Sequence, residues 1–284
     1  MLSIAGTVPD NDFPLICGTA QFDQSGLKIQ GRSINVSRGT PALLATACLI
    51  LQGLEQEPPL AFLVGDTGLG QGSRKLYGYL ADNLSTYNPS TMVFHYLQPD
   101  VDGHGQVFLA VEGLKNRPRL IADAGFMYAA KMSGQSPAYD LFTPDAGELA
   151  FLADEAAPHP FYTRGFILSE GNKVPDLISR AYTHGNAARY LLVKGQTDFI
   201  ADSSGILSTV DSPAHKAMEA VGGTGDTLTG IVSSLIESGL DAARAAELAA
   251  RINRTAGSMS SPTPATQIME IISILPQAYA ELCP

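Results

Sequence analysis

Short apolar runs alternate with helix-like segments along most of the chain. Apolar residues predominate in most of five runs of strand length, at residues 60–64, 92–96, 120–122, 140–143 and 190–193, and the fourth run, Asp-Leu-Phe-Thr, has an apolar centre. Such runs are typical of strands that are buried on both faces of a sheet. Helical spacing follows the first run, at Leu76, Leu80 and Leu84, and returns at residues 147–153 and 175–184. The alternation predicts an α/β fold with a mainly parallel central sheet and helices on both faces.

The two ends of this pattern carry further elements. Thr40 and Pro41 predict a helix start, with Thr40 as the cap and Pro41 in the first turn. The apolar stretch that follows, residues 42–51, is about half of the roughly 20 residues needed to cross a membrane, so we read it as a buried helix. Residues 198–210 predict a hairpin around Gly205, and three helices follow from Asp226. Because no linker interrupts the pattern, we expect a single domain over residues 1–284.

The residues that follow the predicted strands are the first candidates for ligand contact. In an open parallel sheet, ligands bind beyond the carboxyl ends of the strands. Those ends lie next to residues 65–72, Asp123, residues 143–148 and Lys194. Residues 65–72 are rich in glycine but lack the spacing of a dinucleotide-binding fingerprint, so we read them as a turn that contacts a ligand at most.

The sharpest motif lies directly ahead of the first C-terminal helix. Gly222, Gly223, Thr224 and Gly225 precede Asp226 there. Glycines at a helix start let backbone N–H groups converge on an anion, and the helix dipole adds partial positive charge. A carboxylate beside such a site either caps the helix or removes a proton from a hydroxyl that attacks phosphorus. The motif alone leaves both interpretations of Asp226 open.

Two charged residues at other strand ends have the same ambiguity. Lys194 comes directly after an apolar run and precedes Gly195. It either neutralises a ligand phosphate or is a solvated lysine. Glu148 lies at the start of a predicted helix, where an acid is favoured by the dipole. The alternative is that Glu148 orders a water on Mg²⁺.

Composition and charge narrow the class of protein. The 284 residues carry a net charge of −10, with 45% hydrophobic residues. Such a chain has enough apolar material for a large core, and its acidity disfavours a nucleic-acid partner. Cys17, Cys48 and Cys283 show neither disulfide nor zinc spacing, which suits reduced thiols and a cytoplasmic location. The N-terminus has no signal-peptide pattern, and we expect no membrane partner.

Taken together, these segments resemble the ribokinase-like superfamily, and within it the ADP- or ATP-dependent NAD(P)H-hydrate dehydratases. Residues 222–230 are similar to the family's GGTGDVLAG, and residues 143–148 keep the Thr-Pro and Gly-Glu of its TPHPGE. Residues 192–202 resemble its LKG…TVIAD stretch, and residues 121–124 its DADAL. Residues 33–42 resemble its SxxYxGAA more faintly. The resemblance extends over roughly residues 30–280 and implies a three-layer αβα, ribokinase-like fold.

The resemblance also implies a reaction and a set of site residues. The family repairs hydrated NADH or NADPH: a nucleotide phosphorylates the ring hydroxyl, and loss of phosphate restores the cofactor. Asp226 is then the catalytic base. The other implied roles are an anion hole at Gly222, Gly223, Thr224 and Gly225; nucleotide binding by Lys194, Gly195, Thr197 and Asn253; substrate contact by Asp123, Asp145 and Gly39; and a water-mediated Mg²⁺ contact from Glu148. ADP or ATP and Mg²⁺ are the implied cofactors, and homo-oligomers are common in the family.

Two other functions fit the same residues. A ribokinase-like kinase acting on a sugar or vitamin precursor would use the same anion site and base, but would release a phosphate ester. A protein that binds nucleotide without turnover would need no base, so the presence of Asp226 argues against it. Among other candidates, the five histidines show no metal-ligand spacing, and only His215, upstream of the glycine motif, is of interest. Arg244, Arg251 and Arg254 are expected to form a solvated helix face with Glu247.

Overall fold

One continuous sheet organises the computed structural model, which describes residues 1–155 and 173–283. Its eleven strands lie in the order β11-β10-β9-β8-β7-β6-β1-β5-β2-β3-β4. The strands are β1 Leu2–Val8, β2 Ile16–Asp23, β3 Gly26–Ile29, β4 Arg32–Ile34, β5 Leu60–Gly65, β6 Thr91–His95, β7 Arg119–Asp123, β8 Leu141–Phe142, β9 Tyr190–Val193, β10 Asp198–Asp202 and β11 Gly205–Val210. The six central strands, β9, β8, β7, β6, β1 and β5, are parallel to their neighbours within this group, and antiparallel strands extend both edges.

Helices cover both faces of this sheet. They are α1 Thr40–Gly53, α2 Gln71–Tyr87, α3 Val101–Glu112, α4 Gly125–Met132, α5 Ala146–Ala153, α6 Val174–Thr183, α7 Thr224–Glu237, α8 Ala242–Met259 and α9 Ile268–Leu282. Helices α1, α7, α8 and α9 contribute to one hydrophobic core. Helices α2 to α6 contribute to a second one on the opposite face. Within the described residues, no helix is long and apolar enough to span a bilayer.

Strand β5 shows how one run of residues serves both cores. Ala61 and Leu63 belong to the core under α1, whereas Phe62 and Val64 belong to the opposite core. Successive side chains of a strand point to opposite faces, so an unbroken apolar run is what a doubly covered strand requires. The predicted three-layer αβα architecture is confirmed.

The N-terminal residues provide four strands that the apolar pattern did not predict. Strand β1 lies between β5 and β6, in the middle of the parallel part of the sheet. Strands β2 to β4 form an antiparallel extension at one edge. Residues 2–8 therefore belong to the framework that carries the carboxyl ends of the neighbouring strands.

The start of α1 differs from the predicted one by a single residue. Gly39 is the N-cap, with a φ of 70°, and Pro41 lies in the first turn as expected. Thr40, which we expected to cap the helix, is its first residue. Its hydroxyl lies 3.0 Å from Nδ1 of His95, so it bonds a side chain of strand β6 and does not cap the helix.

Candidate active site

A buried ion pair joins the ends of two parallel strands. Nζ of Lys194, after β9, donates to Oδ1 and Oδ2 of Asp123 at 2.8 and 3.1 Å. The Thr229 hydroxyl donates to Oδ2 of the same carboxylate at 2.6 Å. Burial works to raise the pKa of Asp123, but the charge of Lys194 and the smaller effects of His95 and the Thr229 hydroxyl together hold that pKa below its ordinary value. Burial likewise works to lower the pKa of Lys194, but the neighbouring carboxylates, Asp123 foremost, together raise that pKa above its ordinary value. Both groups are therefore charged at neutral pH.

The start of α7 adds a carboxylate to the same place. Gly223 caps the helix with a φ of 103°, and a Cβ there would lie 2.9 Å from Ile268. Only glycine fits that backbone and that space. One turn on, Asp226 is almost fully buried, and its Oδ2 accepts the Gly39 N–H at 2.5 Å. The first N–H groups of a helix have no intrahelical acceptor, so they remain available for an anion beside Asp226.

An open cleft of about 790 Å³ connects these groups. Most of the site residues named above line it: Asp123, Asp145, Glu148, Lys194, Gly195, Thr197, Gly223, Thr224, Gly225, Asp226 and Asn253. Gly222 and Gly39 are not among the lining residues. Gly39 reaches the site through its hydrogen bond to Asp226, and a Cβ on Gly222 would face Arg38 at 3.8 Å.

Strand β6 supplies two site residues that the sequence analysis missed. His95 ends the strand and is completely buried, with Nε2 3.2 Å from Asp226 and 3.7 Å from Asp123. Tyr96 follows with a φ of 54° and lines the cleft. The rule that ligands bind beyond strand ends applies to β6 as well as to its neighbours and points to this end of the strand, but the contacts of His95 with the two carboxylates follow only from the packing of the fold.

Asn253 on α8 is hydrogen-bonded to the first turn of α7, beside the cleft. The Asn253 amide accepts from the Thr227 hydroxyl at 2.7 Å and donates to the Thr224 carbonyl at 3.0 Å. These bonds tie α8 to the first turn of α7. Asn253 is therefore positioned to hold the anion site in shape as well as to meet a ligand.

Arg254 was expected on a solvated face, and this expectation is wrong. Its side chain is only 12% exposed, and Nε donates to Asp198 at 2.7 Å. It also donates to the carbonyls of Gly195 and Gln196, each at 2.9 Å. The arginine thereby fixes the loop after β9, where Gly195 and Thr197 line the cleft. The expected exposed pair does form between Arg251 and Glu247.

Asp145 and Glu148 form a capping box at the start of α5. The Asp145 carboxylate accepts the Glu148 N–H at 2.7 Å, and the Glu148 carboxylate accepts the Asp145 N–H at 2.8 Å. This is the helix-start role that the sequence offered for Glu148. Both side chains also border the cleft. Burial, together with the negative charge of Asp123, raises the pKa of Glu148 to about 8 against the attraction of Lys194.

The glycine-rich turn after β5 lies outside the cleft lining. Asp66 organises it internally, because its carboxylate accepts the N–H groups of Gly68, Gly70 and Ser73. Strand β5 is also separated from β7 by β1 and β6. The turn is therefore a helix-start structure for α2, and the ligand contact considered for it is not supported. His215, by contrast, does line the cleft.

Comparison with known structures shows the fold. Pyridoxal kinase from Staphylococcus aureus, in complex with AMP-PCP and pyridoxal, matches with a TM-score of 0.57 and 15% identity, over 90% of this chain and 88% of that one. A hydroxyethylthiazole kinase protein from Pyrococcus horikoshii matches with a TM-score of 0.52 and 13% identity, over 97% and 87% of the two chains. Both agree with a ribokinase-like architecture.

Comparison of sequences is more specific. An uncharacterized protein of Methanocaldococcus jannaschii is 41% identical over 229 residues, which are 80% of this chain and 94% of that protein. An ADP-dependent (S)-NAD(P)H-hydrate dehydratase of Cenarchaeum symbiosum is 30% identical over 161 residues, 56% of this chain and 50% of the relative. A bifunctional NAD(P)H-hydrate repair enzyme of Pyrobaculum aerophilum is 31% identical over 144 residues, 51% of this chain and 26% of the relative.

The chain thus spans half or less of these two named relatives. The sequence pattern of the carbohydrate-kinase-like NAD(P)H-hydrate dehydratases, however, matches residues 102–277, which is more than half of the chain. That range contains Asp123, the capping box, Lys194 and the Gly223–Asp226 helix start around the cleft. This chain belongs to the NAD(P)H-hydrate dehydratase family.

Proposed function

We propose that this protein is a nucleotide-dependent dehydratase that restores hydrated NADH or NADPH. The observation that carries the proposal is the position of Asp226, a buried carboxylate in the first turn of α7 that borders the cleft. A carboxylate beside unpaired helix-start N–H groups is suited to deprotonate a hydroxyl while those groups hold the transferred phosphoryl. Membership in the NAD(P)H-hydrate dehydratase family supports the hydroxyl of the hydrated nicotinamide ring as the group that is deprotonated.

The reaction has two balanced steps. Asp226 takes the proton of the ring hydroxyl while the hydroxyl oxygen forms a bond to the terminal phosphorus of ADP or ATP, and the nucleotide leaves with one phosphate fewer. The N–H groups of Gly223, Thr224 and Gly225, with Gly222 ahead of them, face the charge that develops on the phosphoryl oxygens. Phosphate then leaves the ring carbon, and a proton leaves the neighbouring carbon, which restores the ring double bond.

The nucleotide side of the cleft is assigned to the loop after β9. Gly195 and Thr197 line it, and Arg254 holds it from α8. Lys194 is already paired with Asp123, so its contact with a nucleotide phosphate would be shared with that carboxylate. The use of ADP or ATP is supported by the name of the Cenarchaeum relative and by the nucleotide-bound kinases of the same fold.

The donor groups fit Mg²⁺ only through water and phosphate. Within residues 1–155 and 173–283, no cluster of three or more His, Cys, Asp and Glu side chains is arranged to hold a metal ion. Mg²⁺ commonly keeps several waters and binds one or two carboxylates plus substrate phosphates. Glu148 and Asp145 border the cleft and would hold such waters. When bound, Mg²⁺ neutralises charge on the phosphates of the nucleotide.

The substrate side is assigned to Asp123, Asp145 and Gly39. Tyr96 adds an aromatic ring, 47% of its surface exposed, next to these residues. An exposed aromatic face suits the planar parts of a dinucleotide. A homo-oligomer and a cytoplasmic location remain predictions, as does the absence of membrane and nucleic-acid partners.

The test is product identification. The protein is incubated with hydrated NADH or NADPH, Mg²⁺ and either ADP or ATP, and reduced-nicotinamide absorbance and free phosphate are both followed. The proposal expects both to appear together and only with nucleotide. A stable phosphate ester without recovered absorbance would instead show the kinase alternative. Nucleotide binding without either product, on the hydrated cofactors or on sugar and vitamin precursors, would show a binding protein.

A further inference from the structure

His95 is a buried side chain aimed between two carboxylates. Its Nδ1 lies 3.0 Å from the Thr40 hydroxyl. Its Nε2 faces Oδ1 of Asp226 at 3.2 Å and Oδ2 of Asp123 at 3.7 Å. Yet Nε2 makes no hydrogen bond of normal geometry to any group in the described structure. A buried donor left in this state is costly unless a small movement or a change of protonation completes its bond.

The neighbours of the imidazole fix which nitrogen carries the hydrogen. An ionised carboxylate can only accept, so Nε2 must carry a hydrogen to face Asp226 and Asp123. In the neutral ring Nδ1 is then the acceptor, and the Thr40 hydroxyl donates to it. Thr40 follows Gly39, whose own N–H donates to Oδ2 of Asp226. The start of α1 thus controls both oxygens of Asp226, one directly and the other through His95.

We propose that His95 is a positioning residue for Asp226, holding its Oδ1 through Nε2–H so that a lone pair faces the substrate hydroxyl. This rests on the proposed function of Asp226 as base. When Asp226 takes the hydroxyl proton, it becomes a weaker acceptor. Asp123 remains ionised 3.7 Å away from Nε2, so the Nε2–H turns toward it. His95 gains and loses no proton in this step; the proton stays on Asp226 while the oxygen–phosphorus bond forms.

Asp123 is suited to accept the Nε2–H of His95 after Asp226 has taken the proton. Its Oδ2 is the oxygen nearest to His95, and Oδ1 is the one closest to Lys194. The charge on Lys194 keeps Asp123 ionised when Asp226 is neutral. The chain Lys194–Asp123–His95–Asp226 therefore links the end of β9 to the base at the start of α7 through β7 and β6.

Two substitutions of similar polarity separate positioning from simple core packing. In His95→Gln, the amide nitrogen occupies the place of Nε2 and can still donate to Asp226. In His95→Asn, the shorter amide reaches only the place of Nδ1, near Thr40. We expect His95→Asn to lower kcat roughly 10–10²-fold with little change in the nucleotide KM, the size of effect known for a misplaced catalytic group. We expect His95→Gln to stay within about threefold of wild type, since its donor is retained.

His104 provides the matched control. It is also fully buried, and it bonds the Tyr139 and Ser133 hydroxyls outside the cleft lining. His104→Gln is expected to lower the unfolding midpoint without changing kcat. Equal loss of kcat in His95→Asn and His95→Gln, or a wild-type kcat in a folded His95→Asn, would overturn the positioning role. So would a rise in KM with kcat unchanged.

A measurement without substrate separates this inference from the proposed function. Imidazole NMR on the nucleotide-free protein, assigned with His95→Gln, is expected to show the Nε2–H tautomer and a shifted signal in Asp226→Asn. An Nδ1–H tautomer would contradict the inference whatever the enzyme does. An inactive wild-type protein with the expected tautomer and shift would contradict the proposed function and leave the contact between His95 and Asp226 supported.

Discussion

Replacing Lys194 by Met would leave Asp123 ionised and buried without its counter-charge. The two groups are 2.8 and 3.1 Å apart at their contacting atoms, and the lysine side chain is 16% exposed. Two unit charges about 3 Å apart attract by roughly 5 kcal/mol at an effective dielectric constant of about 20. Breaking a buried pair in this way commonly costs about 3–5 kcal/mol. We therefore expect Lys194→Met to lower the free energy of unfolding by about that amount at pH 8.

The loss of unfolding free energy in Lys194→Met should become smaller as pH falls. In the variant, burial still raises the pKa of Asp123, and the Lys194 charge, which is the largest of the effects that lowered it, is gone. The folded variant then binds a proton that the unfolded chain releases, so its stability is recovered as pH falls. The difference from wild type should narrow by at most about 1.4 kcal/mol for each pH unit below the raised pKa of Asp123.

Urea unfolding between pH 5 and pH 8 measures both effects. The chain contains no tryptophan, so far-ultraviolet circular dichroism is the suitable signal. Lys115→Met, at an exposed lysine, is the matched control and should change stability by less than about 0.5 kcal/mol. A Lys194→Met variant as stable as the control at pH 8, or equally destabilised at every pH, would refute the account of a desolvated ion pair.

Three further substitutions test other parts of the site. Glu148→Gln keeps the capping bond but removes a carboxyl group whose pKa is raised to about 8 in the folded protein. Because the folded protein holds this proton more tightly than the unfolded chain, wild type should lose thermal stability as pH rises from 5 to 8, and the variant should not. Matching pH profiles of the two proteins would contradict the raised pKa of Glu148. Arg254→Lys should weaken ADP or ATP binding about tenfold in calorimetry, because about 1.5 kcal/mol of forked hydrogen bonding to the β9 loop is lost; unchanged affinity would show that the loop needs no anchor. Gly223→Ala should cost about 1–2 kcal/mol in unfolding, through its φ of 103° and its contact with Ile268, whereas Gly113→Ala, at a φ of −76°, should not; equal effects would contradict the strain argument.

The sequence was most informative where one local pattern decided the outcome. The apolar runs at β5 and β9 predicted doubly covered strands, and the glycines before Asp226 predicted a helix start beside a carboxylate. Both depend on contacts between neighbours in the chain or on the period of a strand. Strand β1 was missed although its seven residues are mostly buried, because no helical segment follows it directly to complete the alternation of strand and helix.

Residues whose partners are distant in sequence were not predictable in this way. Arg254 bonds Asp198, 56 positions away, while its spacing on α8 suggested a solvated face. Thr40 was assigned to the helix end from its local pattern, but its hydroxyl meets His95, 55 positions on. A lone histidine in an apolar strand is usually a core residue. Only the packing of β6 against β7 and α7 shows that His95 reaches two carboxylates.

The role of Asp226 as the base is tested by comparing wild type with Asp226→Asn in the recovery of reduced-nicotinamide absorbance from hydrated cofactor and nucleotide. Asp102→Asn, at an exposed residue of α3, is the control. We expect Asp226→Asn to fold and bind nucleotide but to lose roughly 10²–10⁴-fold in kcat, the usual contribution of a general base, and Asp102→Asn to match wild type. Wild-type kcat in Asp226→Asn would show that another group takes the hydroxyl proton, and would contradict the role of Asp226 as the base.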